Sequence, residues 1–200
     1  MQTLLNSWAE AFDLPILDWI QANMQSEFLD TIMPIITMLG DAGIFWIACA
    51  LVLLLIPKTR KIGLGMGIAL ILGLLVCNVT LKPLIQRMRP YDYQMSILGK
   101  AWNDFLLAGK LLVETPHDFS FPSGHTIASF EACTVLMLSN KKLGIPATIL
   151  AALIAFSRMY LYVHYPTDVI ASVILGILFG CIGYLLSHKV TVSRKGKFVR

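Results

Sequence analysis

The sequence predicts an all-α fold, a polytopic membrane helix bundle, and three observations carry that prediction. Of its 200 residues, 56% are hydrophobic and 14% are charged, with a mean hydropathy of +0.71. Soluble domains average about 25% charged residues, so this composition fits a chain whose solvent is a bilayer. Apolar runs at 39–57, 62–82, 123–139, 144–162 and 168–187 reach or approach the roughly 20 residues a helix needs to cross hydrocarbon. The connections between those runs differ sharply in charge, which gives the bundle two distinct sides.

Residues 1–38 are interrupted by Glu10, Asp13, Asp18, Glu27 and Asp30 and by Pro15 and Pro34, so they read as one or two interfacial helices lying on the membrane. A sixth span there is the alternative. No basic stretch precedes its apolar pieces, so a cleavable signal peptide is not expected. Each of the five later runs reads as a transmembrane helix, because a lone segment in lipid must satisfy its own backbone hydrogen bonds. The long connection 90–122 carries Tyr91, Tyr93, Trp102 and Phe105. It reads as an interfacial lid, a lipid entry lip or a simple aromatic anchor. The chain thus divides into an interfacial segment 1–38, a transmembrane domain 39–187 and a basic tail 188–200. Cys49, Cys77, Cys133 and Cys181 all fall inside apolar runs, which favours buried small side chains over disulfides or a zinc site.

Charge orients the bundle. Lys58, Arg60 and Lys61 lie between the first two runs, Lys141 and Lys142 between the third and fourth, and Lys189, Arg194, Lys195, Lys197 and Arg200 after the fifth. Those ten positions share one side, and none of the twelve acidic residues falls there. By the positive-inside rule this side, with the C-terminus, is cytoplasmic. The basic residues do not interleave with aromatics on a polar surface, so no nucleic acid partner is expected. The same orientation sends three polar clusters to the outer face: Lys82 with Arg89-Pro90, Pro122-Ser123-Gly124-His125, and Ser157-Arg158 with His164 and Asp168.

Each cluster has its own chemistry. Lys82 and Arg89 are seven apart and share a helix face, with Asn78, if the helix continues past Pro83. Two fixed cations can then neutralise a phosphate; snorkelling to the interface is the bland alternative, and Arg87 and Lys100 are assigned to it. Ser123 is a candidate N-cap, and Gly124 lets backbone approach an anion at a helix N-terminus, with His125 beside it. Asp168, four after His164, can accept the Nδ1 proton and leave Nε2 free to attack. His117 and His188 lack such partners and read as surface residues. Glu131, midway along the third run, reads as facing the bundle and bonding a neighbour such as Asn78 or Ser157.

Taken together, the clusters resemble the signature of the type 2 phosphatidic acid phosphatase superfamily: Lys, six residues, Arg-Pro; then Pro-Ser-Gly-His; then Ser-Arg, five residues, His, three residues, Asp. All eleven fixed positions match in order, and the motif region covers the last two-thirds of the chain. The resemblance implies a metal-independent phosphatase that needs no cofactor and works through a phosphohistidine. His164 would be the nucleophile, Asp168 its orienting partner, and His125 the general acid and then the base. Lys82, Arg89, Arg158, Ser123 and the Gly124 backbone would hold the phosphoryl oxygens. The substrate would be a membrane lipid phosphate such as undecaprenyl diphosphate, phosphatidylglycerophosphate or phosphatidic acid. The sequence leaves the oligomeric state open. The same residues would serve a phosphotransferase, and a non-catalytic anion or lipid transporter is the further alternative.

Overall fold

The computed structural model describes residues 2–106, 108–189, 191–192 and 198–199. The chain starts with α1 (Gln2–Trp8), which runs through a π-helical turn, Ala9–Asp13, into α2 (Leu14–Met24). Pro15 costs nothing there because it sits in the first turn of α2. One face of this segment (Ala9, Asp13, Leu14, Leu17, Ile20, Gln21) is buried. Trp8, Phe12 and Trp19 are exposed. The acids that interrupt the apolar pattern have a structural use: the Tyr160 and Tyr162 hydroxyls donate to Asp30 and Asp18, each at 2.5 Å, and the Tyr93 hydroxyl donates to Glu10.

Helix α3 (Glu27–Met38) opens on Ser26, whose hydroxyl accepts from the Leu29 N–H at 3.3 Å. It packs along α9 with Met33 and Thr37 buried. Ala42 and Gly43 then adopt positive φ, 47° and 67°, and α4 (Ile44–Leu55) leaves at a bend of 40° to α3. The sequence separates 1–38 from a span at 39–57. In the structure the helical part of that run begins at Ile44, and α3 and α4 together form the apolar length, as a broken span or a re-entrant pair.

Helix α5 (Arg60–Gly73) continues through π-helical Leu74–Leu81 into α6 (Lys82–Ile85), and Gln86 stops it at φ 51°. Helical continuity past Pro83 therefore lasts less than one turn. Lys82 and Arg89 do not share a helix face as the sequence suggested. Arg89 instead caps the short α7 (Pro90–Ser96) from an extended conformation.

The connection that follows α7 is not a loose lip. Phe105 and Leu106 are buried with Tyr91, Tyr93, Tyr160, Tyr162 and Tyr165 in one cluster, with the Phe105 and Tyr162 rings 5.3 Å apart. The chain then forms α8 (Gly124–Ser139), α9 (Lys141–Tyr160) and α10 (Pro166–Lys189).

Helix α8 is the hub and touches α5, α9 and α10. Its 16 residues span only about 24 Å, less than the hydrocarbon thickness. Arg60–Ser96, Lys141–Tyr160 and Pro166–Lys189 are each long and apolar enough to cross. The outer face of α10 exposes Ile170, Ile174, Leu178 and Leu185, an apolar surface suited to lipid. Apolar solvent gives no hydrophobic reward for helix association, so small residues must let backbones meet. A Cβ on Gly183 would stand 2.3 Å from the Gly65 carbonyl oxygen, and one on Gly180 2.9 Å from that of Glu131. Cys77 and Cys133 are buried and all four cysteines are free thiols. Thr191–Val192 pairs antiparallel with Phe198–Val199; Arg194, Lys195, Lys197 and Arg200 of the expected basic tail lie outside the described residues.

The tight α5–α10 crossing yields a stability prediction. Gly183→Ala pushes a methyl into backbone and should cost about 1–3 kcal/mol, read as a lower melting temperature in detergent. Gly67→Ala on α5, where a Cβ meets nothing within 4 Å, should leave it unchanged or slightly raised.

Candidate active site

The three clusters converge on one end of a cavity of about 1330 Å³, whose wall includes Lys82, Arg89, Gly124, His125, Arg158 and His164. His164 lies in the short connection between α9 and α10. There the Val163 and His164 N–H groups both fold back onto the Arg158 carbonyl, at 3.1 and 3.3 Å. The imidazole is 1% exposed. Arg89 Nη1 lies 3.2 Å from His164 Nε2 and also donates to the Val163 carbonyl at 2.6 Å. A guanidinium can only donate, so Nε2 accepts and the ring proton sits on Nδ1. Burial, and then the cations Arg89, Arg158 and Lys82, hold His164 well below the usual histidine range. The ring is therefore neutral, and Arg89 occupies its Nε2 lone pair at the cavity wall.

Asp168 does stand beside His164, but the expected hydrogen bond is not closed. Oδ2 is 3.6 Å from Nδ1, too far for one, and Nδ1 has no partner among the described residues. The carboxylate is committed elsewhere. Arg87 Nη1 donates to Oδ1 at 2.5 Å, the Ser120 hydroxyl to Oδ2 at 2.5 Å and the Tyr165 N–H to Oδ2 at 3.1 Å. Arg87 Nη2 also donates to Asp13 Oδ2 at 2.6 Å, and the guanidinium lies 3.8 Å over the Tyr165 ring. Asp13 in turn accepts from the Thr167 N–H at 2.9 Å and its hydroxyl at 2.7 Å.

Arg87 is thus no snorkelling cation: it is 4% exposed and clamps the N-terminal segment to the first turn of α10. The sequence carried one clue to it. An acid such as Asp13 in an otherwise apolar stretch needs a buried partner, and a cation two residues from Arg89 in a non-helical segment can face the opposite way.

On the cavity side, Lys82 and Arg89 both bind the carboxylate of Asp118, and Arg89 Nε donates to the Asp118 carbonyl at 2.8 Å. This shared acid brings the two cations together. Burial pushes the Asp118 carboxyl up, but the two cations outweigh it and hold it below the usual carboxylate range. Arg158, buried at 4% exposure, donates from Nη1 to the Thr37 hydroxyl at 2.6 Å, while its Nε has no partner among the described residues. His125 Nε2 meets Asp41 Oδ1 at 2.6 Å, and a Cβ on Gly40 would stand 2.7 Å from the His125 ring. His125 thus has a carboxylate partner of its own from the α3–α4 break.

Ser123 differs from expectation. It precedes α8 but makes no side-chain cap; its hydroxyl accepts from Thr126 at 3.0 Å, its N–H donates to Ser172 at 2.8 Å, and it is fully buried. Glu131 also differs. Ser157 spends its hydroxyl on the Ile154 carbonyl at 2.7 Å, and Glu131 Oε1 has no hydrogen-bond partner among the described residues. Among the described residues no group of three or more His, Cys, Asp and Glu is arranged to hold a metal ion.

A helical membrane bundle with cations and two histidines around one buried cavity is an integral membrane protein built to handle an anion. The PAP2 superfamily model matches residues 62–191, well over half of the chain, and the chain belongs to that superfamily. It is 36% identical over 132 residues to the undecaprenyl-diphosphatase of Sulfolobus acidocaldarius, a match covering 66% of this chain and 58% of that one. It is 30% identical to the undecaprenyl-diphosphatase BcrC of Bacillus subtilis, covering 80% of this chain and 75% of the relative. The crystal structure of a PAP2-type phosphatidylglycerolphosphate phosphatase from Bacillus subtilis superposes with a TM-score of 0.68 at 26% identity, covering 96% of this chain and 90% of the other.

Removing Arg87 would leave Asp13 and Asp168 as buried, uncompensated carboxylates. Arg87→Ala should destabilise the protein by about 3–5 kcal/mol. In a double-mutant cycle with Asp13→Asn the two losses should fall short of additive, which thermal unfolding in detergent measures.

Proposed function

We propose that this protein is a metal-independent lipid phosphatase that works through a phosphohistidine on His164 at the extracytoplasmic face. The observation that carries the reading is the neutral, buried His164 at a cavity wall, whose Nε2 lone pair Arg89 caps until that guanidinium turns to a phosphoryl oxygen. Lys82, Arg89 and Arg158 supply positive charge for the equatorial oxygens of a phosphoryl group, which is the main demand of phosphoryl transfer. The Gly124 backbone at the α8 N-terminus adds N–H groups on the same wall.

Nε2 attacks phosphorus as the bond to the leaving oxygen breaks, and His125 gives that oxygen a proton. Asp168 Oδ2 then closes on the Nδ1–H of His164 and accepts its hydrogen bond, which stabilises the charged ring without taking the proton. Water next attacks the phosphohistidine, His125 takes the water's proton, and the N–P bond breaks to release phosphate. Asp41 beside His125 stabilises its imidazolium in each half-reaction. For a substrate to enter, its phosphate must take the place of the Asp118 carboxylate on Lys82 and Arg89. The outward orientation rests on the one-sided basic residues, and undecaprenyl diphosphate, phosphatidylglycerophosphate and phosphatidic acid are the candidate substrates to compare.

Phosphate release by purified protein in detergent with EDTA tests the reading: turnover that is lost in His164→Ala supports it, and turnover surviving in that variant refutes the histidine nucleophile. His125→Ala should cost about 10²–10⁴-fold on a phosphomonoester and less on a diphosphate, whose leaving group is already a good one. Because His164 takes up its proton only at low pH, its limb in the kcat/KM profile of the free enzyme should lie below pH 6.5 once substrate ionisation is corrected for. A limb at the ordinary histidine value that shifts with His164 substitution would contradict the neutral-ring assignment.

A further inference from the structure

The cavity does not end at the phosphate site. Beyond Gly124 it continues past Asn78 and Glu131, then between α4 and α5 to Leu51, Leu54 and Gly63. Its far part is apolar, as a lipid tail requires. The intermediate part is not. Asn78 is exposed on the wall, its Oδ1 3.5 Å from where a Gly124 Cβ would stand. Glu131 is 1% exposed, lines the cavity and has an Oε1 with no hydrogen-bond partner among the described residues.

An unpartnered polar atom in an apolar interior costs about 1–3 kcal/mol, and the fold makes deliberate room for this one. Gly73 lies against it, and a Cβ there would stand 2.0 Å from Oε1. Burial by neighbouring helices explains the position of Glu131 but not the missing partner.

The depth of the group narrows what could satisfy it. Glu131 follows Gly124 by seven residues, about 10 Å along α8. Helical side chains tilt toward the N-terminus, which brings the carboxyl back toward the phosphate end. It therefore faces the atoms that follow the scissile phosphate, ahead of the hydrocarbon. An ionised carboxyl only accepts and a protonated one both donates and accepts, and a hydroxyl, which does both, satisfies either form. The donor that lipid phosphates carry at that place is a hydroxyl on the polyol bearing the phosphate. A prenyl chain carries none and would leave Glu131 unsatisfied.

We infer that Glu131, with Asn78 beside it, forms a subsite for a hydroxyl on the carbon next to the phosphate-bearing carbon, selecting polyol phosphates such as a glycerol phosphate headgroup over hydroxyl-free prenyl or alkyl phosphates. This deepens the phosphatase reading by naming a substrate class and rests on it for the location of the phosphate.

Two probes with the same tail separate the possibilities: 1-O-dodecylglycerol 3-phosphate, which carries the hydroxyl, and dodecyl phosphate, which does not. Binding is measured in detergent in the His164→Ala background, so that neither is consumed. The hydroxylated probe should bind about tenfold more tightly. Adding Glu131→Leu should remove that preference by weakening only the hydroxylated probe, and Glu131→Gln, which keeps an acceptor oxygen, should retain most of it. Equal affinity for the two probes, or a preference that survives Glu131→Leu, overturns the subsite. So does loss of both probes to the same extent in a folded Glu131→Leu variant, which would mark a packing role. Turnover of both probes by the unmodified protein is scored separately: a hydroxyl preference in binding without turnover keeps the subsite and removes the phosphatase reading.

Discussion

Asp168 is a fully buried carboxylate, and the site's arrangement follows from how its charge is met. Arg87, Ser120 and the Tyr165 N–H supply the hydrogen bonds. Arg87 carries the positive charge, which Asp13 shares from the other side. A carboxylate in such surroundings would otherwise be very costly, and one missing partner would leave the others uncompensated. Meeting it ties four distant pieces of chain together: the N-terminal helix, the turn before α7, the stretch before α8 and the start of α10. His164 sits on the free side of this cluster, 3.6 Å from Oδ2. His164 is thus located by a network that does not itself touch the cavity.

Around this centre the aromatic cluster acts as a rigid collar. Tyrosines give both apolar bulk and a hydroxyl, and here the hydroxyls end on Glu10, Asp18, Asp30, Gln94 and the Pro116 carbonyl. The polar tips satisfy the acids of the N-terminal segment, while the rings pack under the His164 turn. Lower in the bundle the logic changes. There helices meet through glycines and the outward faces are aliphatic, since packing and not the hydrophobic effect holds helices together in lipid. The protein is polar and cross-linked at one end and smooth at the other.

The cation face follows the opposite rule to the Asp168 cluster. Lys82, Arg89 and Arg158 are close enough to repel one another; Asp118, half exposed on its loop, pairs with two of them, and Asp41 acts on Arg158 only from a distance. Arg158 retains an unpaired Nε. Such a surplus of positive charge is unfavourable by itself and favourable once an anion arrives, so part of the cost of folding it is recovered on binding. Burial first, and then this same surplus, keep His164 neutral.

Much of this was legible in the chain alone. Helices in lipid are forced by backbone hydrogen bonding, and runs such as 144–162 and 168–187 announced α9 and α10 directly. The eleven motif positions announced the superfamily. What the sequence could not decide were the pairings between residues far apart in the chain. Arg87 with Asp168, Asp118 with both Lys82 and Arg89, Asp41 with His125, and the shared burial of the tyrosines are separated by 29 to 84 positions or more. Periodicity reports only neighbours three or four residues apart, and a charge in an apolar interior is answered by whichever partner the fold delivers. The break between α3 and α4 was likewise hidden, because Ala42 and Gly43 are apolar in composition and reveal their positive φ only in the folded backbone. Composition and motif spacing determined the class of protein and singled out the candidate reacting groups. The tertiary structure decided which charges neutralise which, because in a low-dielectric interior that choice depends on three-dimensional proximity alone.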